Sequence, residues 1–437
     1  MLATVYHPAQ QHALHPSDVL TEYHDPFQAL YDSISNLSLT GTESCITTNG
    51  NLQYPEPPKQ QQQPQPQQQQ QEEDDFAPLE VTPLFPPGEN VIFAHSSFFR
   101  RPPLPGNIYP DLPTPAQVRA EAELMSDDDD DETAAATAMA TVCYPSHDLL
   151  VKHGKAVKPA EGKAMILAWR GLVAGGAGEA YGWESPGSEG RKVPVPEVFG
   201  WRRDPATGER CVYMEMPRGD VLEERWAGMS EREREAVCVE LKGWVRMWRR
   251  LRLGGFEFVG SVDHTPIQDE VFRPCVAAGA PPPGPFPTVA AFHDYLVTMA
   301  ATLSHTRHYG YHHRQHRGFS GYHHPSFSPP VPPPHLFPAD VPVVFTHGAL
   351  HPRNIVVTPG PNPRVVAIVG WEQAGWMPAY WELCKARWEC ARRGRLGGGW
   401  ETKYLPWILD AEGLGAKLKE WSVRALCQYW DYFVGLM

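Results

Sequence analysis

The chain has no cysteines spaced as CxxC, no apolar run long enough to cross a membrane and no basic face. Its eight cysteines (Cys45, Cys143, Cys211, Cys238, Cys275, Cys384, Cys390 and Cys427) are scattered. In a chain of 437 residues that argues for reduced thiols rather than a disulfide framework. No stretch approaches about 18 consecutive apolar residues, so no membrane span is expected. The opening MLATVYHPAQQHALHP lacks a basic region followed by an apolar one, which argues against a secretory signal. A soluble cytoplasmic protein is expected, with the nucleus left open. The formal charge of −13 is concentrated in Glu72, Glu73, Asp74, Asp75, Asp127 to Asp131 and Glu132; without them about −3 remains. Nothing resembles a nucleic-acid-binding surface. Aspartate is also missing locally: none occurs between Asp340 and Asp410.

Hydrophobic residues make up 42% of the chain, enough for a sizeable core, whereas 46 prolines and 37 glycines are many for a chain folded throughout. Residues 1–105, with a glutamine tract from Gln60 to Gln71 beside acids and prolines, are expected to be disordered, because such composition buries too little apolar area to offset chain entropy. Residues 106–140 read as a short helix, LPTPAQVRAEAEL, capped by Thr114 with Pro115 in its first turn, and then an acidic linker. Order is expected from about Thr141. TVCYPSHDLLVKHG predicts two strands around a turn, PAEGKAMILAWRGLV a helix, and VPVPEVFGWRRDPATGERCVYMEM a hairpin turning at DPATG. SEREREAVCVELKGWVRMWRRLR predicts a long amphipathic helix, with Ser230 and Glu233 as a capping box and Val237, Leu241, Trp244, Val245, Trp248 and Leu251 on its apolar face. Residues 303–340 hold seven histidines between His305 and His324, followed by SPPVPPPHLFP. With no scaffold to fix the imidazoles, this reads as a disordered insertion rather than a metal site. Aromatic-rich helices are expected after it.

The chemistry is concentrated in VVFTHGALHPRNIVV and VVAIVGWEQAGW, each a strand running into a polar and aromatic loop. Phosphoryl transfer needs a cation on the donor phosphates, a metal to neutralise developing charge and a carboxylate to position the acceptor hydroxyl. In kinase-like folds a strand lysine is oriented by a helix glutamate, a loop supplies a base Asp and, five residues on, a metal-binding Asn, and a second Asp ends a later strand. Lys152 ends the run LLVK, and Glu161 lies nine residues on, in the first turn of the next predicted helix. CVYMEM suits the connector between two lobes. Asn354 follows Ala349 by five residues, and VVAIV ends at Gly370. The two carboxylate positions therefore hold Ala349 and Gly370.

Residues from about 142 to 437 resemble the aminoglycoside phosphotransferase and choline kinase group, in particular a fungal branch with loops of the form HGDLHPxNI and IDWExAGWxPxYWE. Here these read HGALHPRNI and VGWEQAGWMPAYWE. The resemblance implies an α+β, bilobal protein-kinase-like fold, with a small β-rich N-lobe over 141–218 and a larger helical C-lobe over 219–437 that carries the insertion. It implies that Lys152 contacts donor phosphates and Glu161 orients it. It implies that Met214, Glu215 and Met216 line the adenine side of the connector, that His347 braces the loop and that Asn354 binds metal. Glu372 and the aromatics Trp371, Trp376, Tyr380 and Trp381 would support the loop.

ATP and Mg2+ are the implied cofactors, held weakly or not at all. Loss of a base costs about 10² to 10⁴ in rate and loss of the metal clamp several kcal/mol, and the two need not add because both act on one site. Glu372, the nearest carboxylate, would point the same way as residue 370 on a continuing extended segment. The leading expectation is a catalytically impaired pseudokinase acting as a binding or regulatory module for a nucleotide or small molecule. The alternatives are an active small-molecule hydroxyl kinase with atypical residues, and a protein that recruits partner proteins through its disordered arm.

Overall fold

A computed structural model describes residues 79–81, 85–100, 111–125, 139–174, 193–255, 257–277, 279–299, 341–393 and 396–409. The chain divides into two units, Met1–Ala77 and Pro78–Met437, and every described residue belongs to the second. The glutamine tract, the acidic linker, the histidine-rich insertion and the last aromatic segment lie outside the described residues.

In chain order the strands are β1 (Leu79–Val81), β2 (Val91–Ile92), β3 (Ala140–Tyr144), β4 (Leu149–Gly154), β5 (Val198–Arg203), β6 (Arg210–Glu215), β7 (Asp220–Val221), β8 (Leu251–Leu253), β9 (Gly260–Ser261), β10 (Val343–Thr346), β11 (Ile355–Val357), β12 (Val365–Ile368) and β13 (Gly375–Pro378). The helices are α1 (Pro115–Met125), α2 (Pro159–Ala174), α3 (Leu222–Trp226), α4 (Glu231–Trp248), α5 (Arg273–Ala277), α6 (289–299), α7 (Trp381–Arg393) and α8 (Leu405–Ile408).

The first lobe is an antiparallel five-stranded sheet ordered β2-β5-β6-β4-β3. Strand alternation gives it two faces. Leu149 and Val151 of β4 join Val142, Phe199, Cys211 and Tyr213 on the outer face, while Leu150 joins Val198, Val212 and Met214 on the inner face against α2. The outer face is covered by α1, whose Val118 is fully buried. Burial of that side chain contributes about 2 kcal/mol. Thr114 caps α1 as expected, its Oγ1 accepting from the Gln117 N–H, and Tyr213 Oη donates to the Pro113 carbonyl at 2.7 Å.

Order starts earlier than the sequence suggests. Residues 79–81 and 85–100, expected within the disordered arm, add β1 against β8, β2 against β5 and the fully buried Phe98. Two- and three-residue strands have no periodicity to read; their partners, some 100 residues or more away, supply the order. The long helix has its capping box, but it ends at Trp248, and Leu251 is buried on β8 instead.

The second lobe is mainly helical around two three-stranded sheets, β10-β13-β9 and β12-β11-β7. A sheet-rich small lobe joined to a helical one is the two-lobed architecture the resemblance implies. Its core is aromatic: Trp371 stacks on Phe345 at 6.0 Å and Phe272 on Trp381 at 5.7 Å. Among the described residues no helix is long and apolar enough to cross a membrane.

Candidate active site

The two lobes meet at three charged side chains. Lys152 lies on the inner face of β4, and Pro159 starts α2 so that Glu161 falls in its first turn, facing that strand. The Lys152 Nζ is 2.5 Å from Glu161 Oε1 and 3.2 Å from Glu372 Oε2. The continuing extended segment expected after residue 370 is absent. Gly370 has φ +81°, a left-handed turn, and a 3-10 turn follows over Trp371–Gln373. This turn is what carries Glu372 across to the lysine.

Two carboxylates share this one cation. Burial, with the charge of Glu372 added, pushes the Glu161 carboxyl up to about 7, against the attraction of Lys152. Burial also opposes ionisation of Glu372, but Lys152 outweighs it and holds that carboxyl down at about 2. Burial works against the lysine's charge as well; the two carboxylates prevail and raise its pKa.

The loop after β10 is fixed by a residue to which the sequence assigned no role. Glu382 on α7 is buried and accepts from the His347 N–H at 2.7 Å and the Gly348 N–H at 3.0 Å. An acid inside the apolar run PAYWELC was the available signal. The His347 ring sits against Trp371 at 4.4 Å, its Nδ1 accepting from the Ala349 N–H at 3.2 Å and its Nε2–H donating to the Val369 carbonyl at 3.0 Å. Those bonds assign a neutral tautomer. Gly348 at φ +78° is required, since a Cβ there would come 2.5 Å from the Gln373 carbonyl oxygen.

Residues 349, 354 and 370 do converge. Asn354 Nδ2 donates to the Ala349 carbonyl at 2.8 Å, and a Cβ on Gly370 would lie 2.9 Å from the Asn354 carboxamide. The donor set for a metal is poor. Asn354 offers one neutral oxygen, Ala349 and Gly370 offer no side-chain oxygen, and Glu372 is committed to Lys152. Among the described residues no three His, Cys, Asp or Glu side chains form a metal-binding group. A hard cation such as Mg2+ is usually held by one or two carboxylates in addition to phosphate and water. The residues present do not fit it.

The connector residues separate. Met214 is buried in the core, whereas Glu215 and Met216, with Pro217 and Arg218, line a cavity of about 220 Å³ together with Val193, Val195, Val366 and Ala367. The Glu215 and Met216 amides are already spent on the carbonyls of Glu197 and Asp148, at 2.8 and 2.9 Å, and Pro217 has none.

Behind the 371–373 turn lies a buried ionic network. Lys385 Nζ is 2.9 Å from Asp269 Oδ1, 3.1 Å from Gln373 Oε1 and 4.0 Å from Glu389 Oε1. Gln373 Oε1 also accepts from the Glu270 N–H at 3.0 Å, so the network anchors the turn.

Burial depresses the pKa of His347 and of His293 to about 4. A base depressed in the folded state gives stability that is present above its ordinary value near 6.5 and lost as pH falls through 4, about 3 kcal/mol for each buried ring. Glu161 runs the other way: its contribution is present below the ordinary 4.5 and lost as pH rises through 7. Glu270 and Glu382, whose carboxyls burial also raises, run the same way as Glu161. His293→Phe isolates one imidazole from this balance: by urea unfolding, the stability of the variant relative to wild type is expected to rise as pH falls from 6.5 to 4.5. A difference that does not change with pH contradicts a ring buried in its neutral form.

Residues 187–414 match the family described as Phosphotransferase enzyme family. No curated protein matches the chain. Among solved structures, the chain is similar to a thermostable mutant of aminoglycoside phosphotransferase APH(4)-Ia, in ternary complex with AMP-PNP and hygromycin B, at 10% identity and TM-score 0.37, covering 68% of this chain and 84% of that one. It is also similar to an aminoglycoside-3'-phosphotransferase of type VIII at 17% identity and TM-score 0.34, covering 69% and 95%. A third similarity is to aminoglycoside phosphotransferase APH(3'')-Id from Streptomyces rimosus, at 15% identity and TM-score 0.34, covering 69% and 94%.

Proposed function

Because this chain belongs to the phosphotransferase enzyme family, we propose that it is a member that has lost phosphoryl transfer and serves as a binding or regulatory module. The observation that carries this reading is the meeting of residues 349, 354 and 370. The asparagine is in place and the carboxylates beside it are not. Glu372, the acid nearest in sequence to the vacated metal position, is engaged by Lys152. In this reading Lys152 is the cation for donor phosphates and Glu161 its orienting partner. Glu215 and Met216 form the connector wall, Met214 backs it from the core, and His347 braces the loop. Asn354 keeps its place without a metal to hold.

The test is thermal unfolding of the full chain with ATP, with and without magnesium. We expect no magnesium-dependent rise in Tm and no ATP consumption. A large magnesium-dependent stabilisation would overturn the loss of metal binding, and ATP consumption with a hydroxyl acceptor that Lys152→Ala abolishes would instead establish an active small-molecule kinase. The buried Lys152–Glu161 pair is the feature that favours this second reading.

A further inference from the structure

Lys152 has more acid around it than an anion site can use. Its ammonium carries three donors. One points to Glu161 Oε1 and one to Glu372 Oε2, at 2.5 and 3.2 Å. Two carboxylates facing one cation offset its charge. A phosphate group approaching the pair is attracted less than it would be by a lone lysine.

The two acids are not equivalent. The Glu161 side chain is 3% exposed. The Glu372 side chain is 33% exposed against 12% for the lysine, so it stands on the solvent side of the ammonium. The main chain keeps it there. Gly370 turns the backbone through its left-handed φ, and the Trp371 indole is locked among Trp248, Phe345 and His347. On the other side, Gln373 is bonded to the Glu270 N–H and to Lys385. With both neighbours anchored, the short turn presents Glu372 to Lys152.

We infer that Glu372 is a resident ligand of Lys152, standing where a phosphate oxyanion would bind, and that displacing it uncovers a site for di- and triphosphates. The inference rests on the reading of Lys152 as the phosphate-binding cation of this family. It adds that the site is filled from within, by the protein's own carboxylate. It also separates two effects: the carboxylates missing at 349 and 370 remove the chemistry, whereas the one present at 372, a position the family's loop also fills with glutamate, weakens binding.

The experiment is titration calorimetry on the full chain, without magnesium, using ATP and inorganic tripolyphosphate as probes. Glu372→Gln is expected to bind both at least about tenfold more tightly than wild type, equivalent to about 1.4 kcal/mol. The gain should disappear in Glu372→Gln/Lys152→Ala. Equal affinity of wild type and folded Glu372→Gln overturns the inference, as does a gain that survives Lys152→Ala. Should Glu372→Gln fail to fold, Glu372→Ala decides by the same criterion, since it removes both the charge and the contact with Lys152. Magnesium-dependent ATP turnover by wild type would overturn the loss of transfer without bearing on Glu372, so the two readings fail separately.

Discussion

Ala349→Asp combined with Gly370→Asp is expected to raise ATP turnover by about 10² to 10⁴ over wild type, the range a positioned base contributes. The two positions act on one site, so each single change should recover far less than half of the logarithmic gain. Stability should fall at the same time. Gly370 has φ +81°, which Asp tolerates better than most residues but at a cost of about 1–2 kcal/mol. The new Cβ also lands 2.9 Å from the Asn354 carboxamide, which has to shift. Ala349 is 1% exposed, so its new carboxylate must find a partner inside the fold. Coupled measurement of ADP release at saturating ATP and magnesium, beside urea unfolding, reads both effects. A folded double variant with no turnover would mean that the scaffold around the loop has lost more than two side chains. Adding Glu372→Gln to the double variant should lower KM and leave kcat nearly unchanged.

Lys385→Met is expected to destabilise the protein by about 3–5 kcal/mol, the cost of leaving a buried charge without its partner. Lys385 and Asp269 are both fully buried and 2.9 Å apart. The Trp381 Nε1–H and the Val271 N–H also donate to Asp269, which softens the loss without replacing the charge. Lys385→Met/Asp269→Asn should recover a good part of the stability, giving a coupling energy in a double-mutant cycle by urea unfolding. Additive single effects would show that the pair does not interact. Because Lys385 also bonds Gln373, the single variant should loosen the 371–373 turn and speed amide exchange there.

Local pattern made much of this molecule legible. The apolar run LLVK placed Lys152 on a strand. Pro159 placed Glu161 at the start of the following helix, and Ser230 with Glu233 marked the beginning of α4. The spacing of HGALHPRN put Asn354 opposite residue 349, and composition alone showed that no aspartate lies nearby. These signals act over a few residues, so a single sequence carries them.

What tertiary structure decided lies between residues far apart in the chain. Glu372 meets Lys152 across a separation of 220 residues, and only because Gly370 takes a left-handed turn between anchored neighbours. Glu382 secures the loop amides from 34 and 35 residues away. The strands β1 and β2 exist only because β8 and β5 accept them. The sequence by itself determined which groups the site owns and which two it lacks, since identity and order are written in the chain. Which carboxylate neutralises the lysine was decided by the folded backbone, because a side chain's partner depends on the direction the main chain gives it.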